Sequence, residues 1–255
     1  MIEETSGGCS PAIGPTALWI DIAGITDRGA VRSENQDRWR ETRLSRAVLV
    51  VVADGMGGHA AGAEAATCAV NAVVEVVTSA ADPHAALAEA FRAAGRAVRE
   101  MPSGDARSGT TLLAAIVSPG RTTVANVGDS RAYLLRRGIA RQITRDHSWV
   151  ATEVSAGRLE AGQAVTHPAR SRLVRAITGG ADADVDVFTP SLGPGDVLVL
   201  CTDGIWEVLD GTALAALFAQ PGSLAQQVEN VCHSALAAGS RDNATVVACR
   251  PGETR

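Results

Sequence analysis

Four aspartates, Asp54, Asp129, Asp203 and Asp242, stand where apolar runs of the chain begin or end. Asp54 follows residues 48–53, Asp129 follows 124–128, Asp203 follows 197–202, and Asp242 precedes 244–249. In an antiparallel sheet the end of one strand lies beside the start of its neighbour. Carboxylates at such points can gather on one edge, where they repel strongly unless cations neutralise them. An oxygen-only ligand set selects a hard divalent ion, Mg²⁺ or Mn²⁺, over zinc. The plain alternative is that Asp54-Gly55 and Asp203-Gly204 are ordinary Asp-Gly hairpin turns. The residues after each pair weigh against it, because 57–78 look helical and 205–219 show no clean alternation.

The elements that must hold these residues follow from hydrophobic period and turn chemistry. Residues 48–53 are continuously apolar and rich in β-branched side chains, the pattern of a buried strand. Further strands are expected over 111–117, 122–127, 130–135, 197–201 and 244–249, with turns at Pro119-Gly120 and Arg137-Gly138. A mostly apolar run covers 17–25, and 26–37 reads as a polar turn region. Helices are expected over 61–78 and from Pro83 to about Met101, the latter with Asp82 as N-cap. Two more are expected over 213–219 and 224–236. Residues 148–172 are mixed and polar and read as a loop-helix insertion, and 1–15 as a loose tail. Strands and helices come in blocks, which points to an α+β fold with largely antiparallel sheets. Residues 16–250 read as one domain.

The chain has 255 residues and 46% hydrophobic composition, but only 3% aromatics, so its core must be mostly Ala, Val and Leu. A net charge of -5 with no Lys/Arg run argues against nucleic acid as a partner. Five scattered cysteines form no C-x-x-C pair, which fits a reducing compartment better than a disulfide framework. No signal peptide and no run of about 18 apolar residues is visible. The expectation is a soluble, cytoplasmic monomer.

The sequence around the aspartates is more specific. Arg32-Ser33-Glu34-Asn35-Gln36-Asp37 and Asp54-Gly55-Met56-Gly57-Gly58-His59 resemble the opening motifs of the PPM family, the type 2C protein phosphatases. Ser108-Gly109-Thr110-Thr111, Val127-Gly128-Asp129-Ser130-Arg131 and Thr144-Arg145-Asp146-His147-Ser148 resemble its middle motifs. Thr202-Asp203-Gly204-Ile205-Trp206 and Ser240-Arg241-Asp242-Asn243-Ala244-Thr245 resemble its closing ones. Each motif alone is weak, but seven in order over nearly the whole chain are strong.

The resemblance implies a four-layer α/β/β/α sandwich with two central, mainly antiparallel sheets. It implies hydrolysis of phosphoserine and phosphothreonine on proteins by a water activated between two cations, Mn²⁺ or Mg²⁺. Asp54 would bridge the two, the Gly55 carbonyl, which a missing Cβ lets approach a metal, would ligate one, and Asp203 and Asp242 would complete the other. Asp129 matches a position that, with Asp203, can hold a third, weaker ion. Asp37 would hydrogen-bond metal waters, and Arg32 would grip the substrate phosphate with its planar fork. Residues 148–172 correspond to the family's flap, where substrate choice is expected. Stand-alone bacterial members usually oppose a Ser/Thr kinase.

Two departures stand out. Gln36 occupies a position where many relatives have Glu, which would weaken the second metal site modestly. Met56 holds the place of the eukaryotic general-acid histidine; His59, three residues later, is either that acid or a helix-start histidine. Gly55-Met56-Gly57-Gly58-His59-Ala60 also fits a dinucleotide fingerprint, although the expected βαβ return is blurred. The C-x5-R spacing of Cys249 and Arg255 has no following helix, and the EF-hand-like Asp182, Asp184 and Asp186 lack the required Gly and Glu. A different class of function is a pseudophosphatase that binds phosphoproteins without hydrolysis. Loss of a metal carboxylate would be its sign, and all three are present.

Overall fold

The computed structural model describes residues 20–57, 60–101, 108–180 and 184–252. The chain opens with strands β1 (Ile20–Asp27), β2 (Asp37–Arg43) and β3 (Val48–Met56), then helices α1 (Ala60–Ser79) and α2 (Pro83–Arg99). Strands β4 (Gly109–Thr110), β5 (Leu112–Ser118), β6 (Arg121–Val127), β7 (Arg131–Arg136) and β8 (Ile139–Gln142) come next. Short helices α3 (Trp149–Ser155) and α4 (Ala161–Ala164) precede β9 (Ile177–Thr178), β10 (Asp186–Phe188) and β11 (Val197–Cys201). The last elements are α5 (Asp203–Trp206), α6 (Gly211–Phe218), α7 (Leu224–Ala237) and β12 (Ala244–Pro251).

All strand pairings among them are antiparallel. One sheet has the order β1-β12-β11-β7-β8; the other runs β10-β6-β5-β3, with β2 on the far side of β3 and the short β4-β9 pair at its end. Side-chain alternation sends each central strand into two cores at once. On β3, Leu49, Val51 and Ala53 face α1 and α2, whereas Val48, Val50 and Val52 face the second sheet. On β11, Leu198 and Leu200 face that same inter-sheet layer, while Val199 and Cys201 pack under α5, α6 and α7. This is the expected four-layer sandwich, with a core built mostly from Ala, Val and Leu.

Local chemistry accounts for the helices. Asp82 caps α2 by accepting from His84 N–H and Ala85 N–H, with Pro83 in the first turn. α7 opens with a capping box between Ser223 and Gln226. α1 has the length and apolarity of a membrane span. Here that apolarity is used in packing, with Ala65, Ala66, Ala69, Val70, Val73 and Val77 buried.

Several expectations need correction. β3 does not stop at Ala53 but runs to Met56, so Asp54 and Gly55 lie inside the strand's end. The hairpin alternative falls, since β3 passes to α1 and Asp203 starts α5. No parallel βαβ return surrounds the dinucleotide-like stretch among the described residues, because β3 pairs antiparallel with β2, β4 and β5. The polar region 26–37 conceals the end of β1 and the start of β2. Residues 148–172 do form short helices and turns, and the segment closes at its base through Trp149 N–H donating to Arg172 O at 2.7 Å. His59, Asp182 and the tail 1–15 lie outside the described residues.

Candidate active site

The two sheets meet their loops at one end of the sandwich, and the motif carboxylates collect there. Asp37 begins β2 and lies directly opposite Asp54 of β3 in the sheet register. From the other sheet, the end of β11 runs beside the start of β12, Cys201 against Val246, which brings the Asp203 and Asp242 turns together. Asp129 occupies the β6–β7 turn. Neighbouring strand ends thus gather the carboxylates as pairs, and sheet stacking joins the pairs.

Each carboxylate is anchored through its surroundings. The Asp54 N–H donates to Thr111 Oγ1 at 2.9 Å, and its carbonyl accepts from Thr111 N–H and Thr110 Oγ1, both at 2.9 Å. Asp37 is 2% exposed; its Oδ2 accepts from Thr202 Oγ1 at 2.8 Å and Thr245 Oγ1 at 2.6 Å. Those hydroxyls belong to the other sheet, so Asp37 ties the layers together. The Asp129 turn is held from behind by His147, whose Nδ1 accepts Gly128 N–H at 3.1 Å. Asp242 receives Arg32 Nη2 at 2.5 Å and the Asn243 N–H at 2.8 Å. Arg32 itself is exposed on the β1–β2 connection.

Gly55 has a reason beyond access for its carbonyl. A Cβ there would stand 2.2 Å from the Gly62 carbonyl oxygen and 2.8 Å from that of Gln36, so no side chain fits. The start of α1 packs directly on the strand end that carries Asp54.

The result is a cavity of about 550 Å³ lined by Asp54, Asp129, Asp203, Asp242 and Glu34, with Arg32 as the one cationic side chain in its wall among the described residues. Burial first, then the neighbouring Asp203, Asp37, Asp129 and Asp242, push the Asp54 carboxyl well above its usual range. Asp203 is raised likewise, by burial and then Asp129 and Asp242. Asp129 is pushed up to about 7 by burial and Asp146. Asp37 is pushed up to about 6, mainly by burial, against the opposing pull of its Thr245 and Thr202 hydrogen bonds. Oδ1 of Asp203 and Oδ1 of Asp37 are buried with no hydrogen-bond partner. Such a surplus of negative charge calls for a compensating cation.

Among the described residues, no three His, Cys, Asp or Glu side chains close into a cage around a single ion. The carboxylates line an open basin instead, which suits ions that keep several waters. All the sequence-predicted site residues, Arg32, Asp37, Asp54, Gly55, Asp129, Asp203 and Asp242, fall in or directly behind this basin. Sequence reasoning missed the individual parts played by Thr111, Thr202, Thr245 and Asn243. It also missed Ser171 and Leu173, which put the far end of the 148–172 insertion into the cavity wall. The threonines and Asn243 lay inside recognised motifs, but only the fold gives them partners; Ser171 lay in the stretch expected to form the flap and Leu173 just past it, with nothing in the sequence to single out either residue.

The family profile of Protein phosphatase 2C matches residues 28–238. The chain belongs to this family, and by class it is a serine/threonine protein phosphatase. It is similar to the serine/threonine phosphatase stp of Listeria monocytogenes, 31% identical over 232 residues that span 87% of this chain and 92% of the relative. It is 37% identical to the serine/threonine protein phosphatase PstP of Mycobacterium tuberculosis over 90% of this chain, though over 45% of that longer protein. The crystal structure of the Mycobacterium tuberculosis phosphatase PstP/Ppp superimposes with a TM-score of 0.83 at 33% identity, covering 92% of this chain and all of that one. A structure of the PstP catalytic domain in complex with two manganese ions gives a TM-score of 0.79 at 32% identity, with the same coverage.

Proposed function

We propose that this protein hydrolyses phosphoserine and phosphothreonine on other proteins, using two divalent cations, Mn²⁺ or Mg²⁺, held by Asp54, the Gly55 carbonyl, Asp203 and Asp242. The observation that carries it is the carboxylate-lined cavity, whose acids raise one another's pKa values and leave a buried Asp203 oxygen unpartnered. An all-oxygen donor set of this charge fits hard cations. When bound, such cations neutralise charge on the phosphoryl oxygens and acidify water toward hydroxide. Asp37, fixed by Thr202 and Thr245, lies opposite Asp54 in the sheet, and its unpartnered Oδ1 is the acceptor available for water. The relative solved with two manganese ions supports the stoichiometry by analogy.

Hydrolysis of para-nitrophenyl phosphate should be undetectable without added metal and strong with Mn²⁺. A chain that binds Mn²⁺ and phosphopeptides yet releases no phosphate would be a binding protein instead. The proposed setting is a monomer acting in the cytoplasm against a Ser/Thr kinase, which the free thiols of Cys201, Cys232 and Cys249 accommodate. Phosphoproteins that accumulate when the gene is removed would identify the kinase's targets.

Arg32 is the group that would grip the phosphate. Its exposed fork, now on Asp242, reaches the rim of the cavity, and a bidentate guanidinium can turn the ester so that its leaving oxygen lies opposite the attacking one. Arg32→Ala should raise KM for a phosphothreonine peptide by about 10-fold and lower kcat as well. Steady-state kinetics with both constants unchanged would remove Arg32 from the site.

Asp129 would hold a third, weaker ion together with Asp203, whose ionisation it opposes more than any other neighbouring charge does. Asp129→Ala should lower kcat while calorimetry still counts two tightly bound Mn²⁺. Loss of all metal would assign Asp129 to the central pair.

A further inference from the structure

The connection from β1 to β2, residues 28–36, carries Arg32 and has no strand or helix of its own. One side chain from the far end of the sequence grips it. Asn243 Nδ2 donates to the Arg28 carbonyl at 2.9 Å and to the Glu34 carbonyl at 3.0 Å, while its Oδ1 accepts the Gln36 N–H at 2.8 Å. Both amide donors and the acceptor are thereby engaged, and Asn243 is only 4% exposed. The three backbone partners bracket Arg32 on both sides. The segment also lies tightly on the Asp242 backbone: Gly29 adopts φ +73°, and a Cβ on it would stand 2.6 Å from the Asp242 carbonyl oxygen. Within the loop, the Arg28 guanidinium donates to the Arg32 carbonyl.

We infer that Asn243 is a positioning residue for Arg32: its amide straps the 28–36 loop to the Asp242 turn and so fixes where the guanidinium stands relative to the carboxylate basin. No other side-chain type serves in its place. Asp would lose both donors, Ser would keep one short hydroxyl, and Gln would reach a methylene too far. Asn243 also sits beside Asp242, so a rival route exists through the cations. The two routes separate in measurement. The link to Asp242 is the Asn243 backbone N–H, which a side-chain substitution leaves in place. Displacing a phosphate-orienting group by an ångström costs binding and rate even where the chemistry is untouched.

Resting on the proposed role of Arg32, the test compares four full-length proteins: wild type, Asn243→Ala, Arg32→Ala and the double variant. Asn243→Ala should raise KM for a phosphothreonine peptide about 10-fold with a smaller change in kcat. Its Mn²⁺ affinity by calorimetry should match the wild type, and trypsin should cut after Arg28 and Arg32 faster. In the Arg32→Ala background, the same substitution should add nothing to KM, because residues acting as one unit are not additive. Multiplying effects, or a Mn²⁺ affinity that falls in step with KM, would overturn the inference. An Arg32→Ala protein with unchanged kinetics would remove the phosphate-gripping role, and the inference with it; unchanged trypsin cleavage would sink the strap alone. If Asn243→Ala fails to fold, Asn243→Ser, which keeps one hydroxyl in the same space, should show the same pattern to a lesser degree; wild-type KM and wild-type trypsin cleavage in that variant would overturn the inference.

Discussion

Replacing Asp54 with Asn should leave a folded protein whose phosphatase rate is lower by on the order of 10³-fold or more. The backbone at this position is clamped by Thr110 and Thr111, and an amide has the shape of a carboxylate, so the substitution removes charge with little change in packing. That charge is opposed by four other aspartates, with Asp203, Asp37, Asp129 and Asp242 all acting against its ionisation. As the proposed bridge, Asp54 would serve both cations, and weakening two ions at once would remove most of the electrostatic stabilisation available to a phosphoryl transition state. Excess EDTA should have the same effect on the wild type and be reversed by Mn²⁺. A second signature should accompany the loss: the metal-free Asp54→Asn protein should melt above the metal-free wild type, because one repelling charge is gone. Activity within tenfold of wild type, or full activity in excess chelator, would sink the two-cation reading.

The metal-free wild type should in turn lose stability as pH rises from about 4 to about 7, the reverse of the usual acid lability. In the folded state Asp129 titrates at about 7 and Asp37 at about 6, whereas an unfolded aspartate titrates near 3.9. Between those limits these two carboxyls hold more protons in the folded protein than in the unfolded one, so their contribution to stability falls with increasing pH, against the smaller opposite pull of His84 and His147, whose burial lowers their pKa values. The contribution is fully present below about 4 and lost once pH passes the folded values. In EDTA, the melting temperature should drop by on the order of 5–10 °C between pH 5 and pH 8. Saturating Mn²⁺ should remove the drop, since cations replace the protons, and its stabilising effect should therefore be largest at alkaline pH. A metal-free melting temperature that stays level or climbs from pH 5 to pH 8 would mean the basin does not carry this strain.

The central strands and the long helices were legible because their signals are local. Val197–Cys201 is apolar throughout, and Asp82-Pro83 announces the start of α2. β2 was missed because Asp37–Arg43 is a polar strand at the side of its sheet, whose Arg38 and Arg40 lie along α1 to reach Thr67 and Asn71. β9 and β10, of two and three residues, exist only through their partners. The candidate carboxylates were found because four of them end or begin apolar runs and lie in motifs that recur in one order along the chain, although each Asp-Gly alone reads as an ordinary turn. Their supports were not, since Thr202 and Thr245 look like ordinary strand residues until the other sheet brings Asp37 against them. The reason for Gly55 was only half visible: carbonyl access could be argued locally, but the collision with Gly62 needs the helix in place.

The pairing of β1 with β12 alone, among the described strands, has a consequence for how the protein is made. During synthesis Ile20–Asp27 emerges among the first elements, yet its sheet partner, Ala244–Pro251, emerges last of them. At 5–20 residues per second, β1 waits roughly 10–40 s with its backbone edge unpaired. Asp242 and Asn243 come just ahead of that final strand, so a ribosome-bound chain lacks one basin carboxylate and the strap on Arg32 until β12 is being made. On the proposed site, hydrolysis would therefore wait for that strand, and the waiting β1 is the segment on which a chaperone would be expected to settle.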